Sequence, residues 1–102
     1  MSNKLKNKVA IVTGSTSGIG EAIAILFAAE GAKVVVSGRN LERGSKVKQK
    51  ILDAGGIATF IPMEARKPDT IKSLIDNSIL EFGKVDILVN NVGTNIRKKA
   101  VD

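Results

Sequence analysis

Two periods of apolar residues alternate along this chain. Val9–Thr13 (VAIVT) is a short, nearly continuous apolar run, the mark of a strand buried on both faces. Ile19, Ala22, Ile23, Leu26 and Phe27 follow at the i, i+3, i+4, i+7, i+8 spacing of one helix face. Gly31 ends that helix. The pair then repeats. Lys33–Ser37 (KVVVS) reads as a second buried strand, and Leu41 to Ala54 as a polar helix turning Val47, Ile51 and Ala54 inward, closed by Gly55-Gly56. Ala58–Pro62 (ATFIP) is a third strand. Ile71, Leu74, Ile75, Ile79 and Phe82 restore the helical spacing, Gly83 stops it, and Val85–Asn90 (VDILVN) is a fourth strand.

The order β-α-β-α-β-α-β implies parallel strands, because each helix carries the chain back to the starting edge. Right-handed crossovers then give an α/β, Rossmann-type doubly wound sheet of order 3-2-1-4, truncated after the fourth strand. Ligands of such sheets bind outside the carboxyl ends of the strands, where the winding reverses. Two polar segments fall at those ends: Gly14–Gly20 after strand one and Asn90–Gly93 after strand four. The whole of 1–102 is read as one partial domain.

Composition narrows the chemistry. The 102 residues contain no cysteine and no histidine, so a thiolate or imidazole metal centre is not expected. No signal peptide follows the lysines of Met1–Lys8, and no apolar run approaches bilayer length; a cytoplasmic chain without a membrane partner is expected. The net charge of +6 suits anionic partners. The cations are dispersed, however, and the only aromatics are Phe27, Phe60 and Phe82, each inside an apolar pattern. That lacks the interleaved cations and stacking rings of a nucleic-acid surface, so no nucleic-acid partner is expected.

A strand, a glycine-rich turn and a helix start together make an anion site. The first helical turn has N–H groups without intrahelical acceptors, and its dipole favours negative charge. Glycines let a diphosphate approach the backbone closely. Ser15, Thr16 and Ser17 add hydroxyl donors suited to phosphate or ribose oxygens. No lysine follows Gly20, which excludes a nucleotide-hydrolysing P-loop. The spacing is G-x-x-x-G-x-G rather than the common dinucleotide G-x-G-x-x-G.

TGSTSGIG (Thr13–Gly20) resembles the T-G-x-x-x-G-I-G motif of the short-chain dehydrogenase/reductase family, and NNVG (Asn90–Gly93) resembles its N-N-A-G, with Val92 in place of alanine. The resemblance implies that Gly14, Ser15, Ser17, Gly18, Ile19 and Gly20 line the diphosphate and ribose. It implies that Asn91, Val92 and Gly93 border the adenosine ribose, while Asn90 braces the sheet. Glu64-Ala65 stands where the family has Asp and a small residue at the adenine edge. LVNNVGTNIRKKAVD looks like the tropinone reductase-like branch, whose members reduce ketones with NADPH.

The end of strand two bears on the cofactor. A carboxylate about 20 positions after the glycines would bind the ribose 2′-hydroxyl of NAD. Here stand Gly38, Arg39 and Asn40. A guanidinium can hold a 2′-phosphate bidentately, so NADP(H) is favoured over NAD(H).

The family's general acid is a tyrosine in a Tyr-x-x-x-Lys pair. This chain has no tyrosine, so no catalytic residue is assigned and activity of these residues alone is not expected. The resemblance further implies a small carbonyl or alcohol substrate and a homo-oligomeric parent enzyme. Three readings stay open: the cofactor-binding half of such an oxidoreductase, half of a split or self-assembling enzyme, and a nucleotide-binding module without redox chemistry. Strand four is apolar on both faces with no lysine, proline or bulge within it, which predicts marginal stability and association through that edge.

Overall fold

Short β-branched runs form the sheet and longer amphipathic stretches the helices, in the order β1 (Val9–Thr13), α1 (Gly18–Ala29), β2 (Lys33–Gly38), α2 (Leu41–Asp53), β3 (Ile57–Pro62), α3 (Pro68–Phe82) and β4 (Ile87–Asn90). The computed structural model describes residues 4–16, 18–62 and 68–91. All pairings are parallel and the strand order is β3-β2-β1-β4. β1 is central, with Val12 level with Val36 of β2 and with Val89 of β4.

Alternate residues of β1 and β2 feed two cores. Ala10, Val12, Val34 and Val36 pack with Ala24 of α1 and with Val47 and Ile51 of α2. Ile11 and Val35 face the other way, onto Leu74 of α3, with Ile71, Ile75 and Phe82 around them. Both faces of the central strands are therefore covered, and β1 is buried throughout.

Four sequence expectations shift. On α1 the buried positions are Gly20 and Ala24, with Ile23 and Phe27 packed beside them, while Ala22 is exposed and Leu26 is 56% exposed. Apolar residues surround this helix, so spacing alone could not fix which stripe faces inward. Ala54 is the exposed C-cap of α2 rather than an inward residue. On α3 it is Ser78, not Ile79, that turns inward; its hydroxyl donates to the Leu74 carbonyl (2.7 Å) and so needs no other partner. β4 begins at Ile87, two residues later than expected.

That late start has a local cause. Asp86 Oδ2 accepts the Val9 N–H (2.9 Å), while the Asp86 N–H donates to the Val9 carbonyl (2.9 Å). A side chain thus replaces one rung of the ladder. The Val9 N–H, and after it the Lys84 ammonium at 3.1 Å, hold the Asp86 carboxyl below its ordinary value. A lowered folded-state value contributes stability above the unfolded value of about 3.9, and that contribution is lost as pH falls through the folded one. Asp86→Asn should lower the urea midpoint at pH 7 and shrink its decline between roughly pH 4 and pH 2. An unchanged acid limb in the variant would contradict this role.

Among the described residues β4 pairs with β1 alone, and Leu88 on it is 42% exposed. None of the described helices is long and apolar enough to cross a membrane.

Candidate functional site

The carboxyl ends of β1, β2 and β4 meet at one edge of the sheet, where the winding reverses between β1 and β4. Three contacts build the turn after β1. Gly14 has φ +63°, and a Cβ there would overlap the Asn91 carbonyl oxygen. A Cβ on Gly20 would overlap the Gly14 carbonyl oxygen. The Asn91 amide donates to that same Gly14 oxygen at 3.4 Å. The first and last glycines are thus required by the packing of the turn against α1 and the end of β4.

Gly18 differs. Its φ is +61°, but among the described residues nothing lies within 4 Å of where its Cβ would be. This glycine starts α1 and faces open space, so a ligand can approach its backbone and the donors of the first helical turn. Ile19 beside it is 73% exposed, an apolar side chain on the surface at the start of α1. Glu21, in the same first turn, would oppose an anion. It is instead paired with Lys50 of α2, Nζ to Oε2 at 2.7 Å, which offsets its charge.

The three expected hydroxyl donors do not share one role. Ser15 is fully buried. Its hydroxyl donates to the Val12 carbonyl (2.6 Å) and accepts the Ser37 N–H (2.9 Å), while the Ser15 N–H donates to the Ser37 carbonyl (2.9 Å). Ser15 ties the turn to the end of β2, its buried hydroxyl committed to the backbone of Val12 and Ser37. Thr16 is half-buried and packs over Gly38. Ser17 lies outside the described residues, as do Glu64, Ala65, Val92 and Gly93.

Arg39 follows β2 and is exposed. Asn40 caps α2: its Oδ1 accepts the Arg43 N–H at 2.8 Å. That bond commits its oxygen to the helix and fixes where the chain leaves the crevice. Asn90 accepts from Thr13 Oγ1 at 3.0 Å, in keeping with a brace across the sheet.

The sequence assigned no bonding role to Thr13 or Ser37, and it placed Gly38 at the cofactor-reading position without its contact to Thr16. Thr13 is fully buried; its hydroxyl accepts the Asn91 N–H (2.7 Å) and shares its proton between Asn90 Oδ1 and the Val89 carbonyl. It locks Asn91 against Gly14. A threonine closing an otherwise aliphatic buried strand was the available signal. Among the described residues there is no group of three or more His, Cys, Asp or Glu side chains placed to hold a metal ion.

The model of the short chain dehydrogenase family matches residues 8–102. The chain belongs to that family. It is 41% identical over 97% of its length to a 3beta-hydroxysteroid dehydrogenase of Mediterraneibacter gnavus, and spans 36% of that protein. Among solved structures, a hydroxysteroid dehydrogenase from Escherichia coli superposes with a TM-score of 0.86 at 43% identity, over 89% of this chain and 39% of that one. A metagenomic short-chain oxidoreductase in complex with NADP gives 0.83 at 36% identity, over 89% and 41%. The chain therefore spans less than half the length of these relatives.

Proposed function

We propose that residues 1–102 form the part of an NADP(H)-dependent short-chain oxidoreductase that binds the diphosphate and adenosine end of the dinucleotide. The observation carrying this reading is the carboxyl end of β2, where Gly38 and Arg39 stand beside the glycine turn in place of a carboxylate. The open backbone at Gly18 suits the diphosphate, and Arg39 suits a 2′-phosphate. The solved NADP complex among the family's structures supports the same assignment.

The bound dinucleotide supplies hydride exchange with a small carbonyl or alcohol. These residues bind and orient it. Thr13 and Asn91 hold the turn, Ser15 and Ser37 join it to β2, and the first turn of α1 offers N–H donors. Ser17, Glu64, Ala65, Val92 and Gly93 are proposed as further contacts on the family motif. The tropinone reductase-like branch rests on the Leu88–Asp102 text alone. The hydroxysteroid dehydrogenases named above support a carbonyl–alcohol pair without favouring that branch.

The test is Arg39→Ala in the protein as its gene expresses it, titrated with NADPH and NADH. Loss of charge-assisted bonds should weaken NADPH by about 10–100-fold and leave NADH nearly unchanged. Equal losses for both would contradict the assignment.

A further inference from the structure

Gly38 is a glycine without a backbone reason to be one. Its φ is not among the positive values of the described glycines, and it is the last residue of β2, still in register with Pro62. Its neighbour supplies the reason. A Cβ at position 38 would lie 2.7 Å from Thr16 Cγ2, 3.4 Å from its Oγ1 and 3.6 Å from its Cβ. The first of these is closer than real side chains approach one another. Gly38 is itself buried, so a side chain there cannot swing out into solvent at its root.

Thr16 has little freedom to retreat. The residue before it is tied to β2 through the Ser15 N–H to the Ser37 carbonyl and the Ser37 N–H to Ser15 Oγ, and to β1 through Ser15 Oγ to the Val12 carbonyl. Thr16 is itself half-buried, and its β-branched side chain has a restricted choice of χ1 rotamers. The position so guarded is the end of β2, where a carboxylate would read the ribose 2′-hydroxyl.

We propose that Thr16 is a specificity-determining residue. Its methyl group fills the space in which a side chain at position 38 would begin, and so keeps the end of β2 free of a carboxylate. The pair then acts as a unit. Arg39 attracts the 2′-phosphate, and Thr16 with Gly38 bars the group that would repel it. The selectivity half of this proposal rests on the NADP(H) reading; the steric half does not.

The unit is tested by a cycle that removes only the methyl, Thr16→Ser, against changes at position 38, in the protein as its gene expresses it. Without ligand, Gly38→Ala should lower Tm by about 5–10 °C beside Thr16, from overpacking. In the Thr16→Ser background the same change should move Tm by less than about 2 °C. With ligand, Gly38→Asp alone should gain nothing for NADH. Combined with Thr16→Ser it should bind NADH about tenfold more tightly than Gly38→Asp alone, as one added charge-assisted bond permits. If Gly38→Asp gains that affinity unaided, or if the two Tm shifts are equal, the proposal fails. Should Gly38→Ala fail to fold while the double variant folds, the coupling is upheld; should both fail, it is refuted. A wild type that prefers NADH would sink the NADP(H) reading while the melting cycle still decides the steric pair. NADPH preference without coupling would sink the pair alone.

Discussion

Gly14→Ala will cripple both the fold and the site. The residue has φ +63°, and its added carbon would meet the Asn91 carbonyl oxygen, which is backbone and cannot rotate aside. The left-handed backbone costs a non-glycine residue about 1 kcal/mol, and overpacking a further 1–3 kcal/mol. A loss of about 2–4 kcal/mol corresponds to a Tm lower by more than about 10 °C in a domain of this size. Gly18→Ala is the control. It shares the strained φ but meets none of the described residues, so it should cost roughly 1 kcal/mol in stability. Under the proposed function its added methyl would stand where the diphosphate binds, so dinucleotide affinity should fall far more than stability does. Thermal melts and NADPH titrations of both variants separate the two roles. Similar melting losses in both would contradict the division between a packing glycine and an access glycine.

Thr13→Val should be nearly as damaging by another route. The change preserves shape and removes one hydroxyl. That hydroxyl accepts the Asn91 N–H and donates toward Asn90, all at the junction of β1 and β4. Leaving the half-buried Asn91 N–H without its acceptor costs about 1–3 kcal/mol, while the exposed Asn90 can turn to water, so a loss of roughly 2 kcal/mol is expected. Hydrogen exchange at the Asn91 amide should accelerate more than exchange in β2. Thr13→Ser keeps the hydroxyl and should lose only about 1 kcal/mol, for a missing methyl. If Thr13→Val melts like Thr13→Ser, the hydroxyl does not hold the site together.

These two residues mark what a linear reading reaches. The parallel order β3-β2-β1-β4 was legible because each strand is a short β-branched run and each helix has its own period. The turn Gly14–Gly20 was legible because three glycines between a buried strand and a helix have few other uses. The inward face of α1 was not. Ile19, Ala22 and Leu26 satisfy the helical period as well as Ala24 and Phe27 do, and only the neighbouring sheet selects between them. Ser78 escaped notice because a hydroxyl bonded to its own helix can lie in a core as an apolar group does. Gly44 looks like a flaw in α2 until the ring of Phe60 is found where its side chain would be. Ser15, Ser37, Thr13 and Gly38 owe their roles to partners 21 or more positions away or across the sheet, which no local period encodes.

The measurement that tests the account most directly is a backbone amide NMR titration with NADPH. Binding at the switch point predicts shifts at Gly14, Gly18, Ile19, Gly20, Arg39, Asn40 and Asn91, with the opposite ends of the strands, at Val9, Lys33 and Ile57, unmoved. No shift at millimolar NADPH, or shifts centred on those opposite ends, would contradict it.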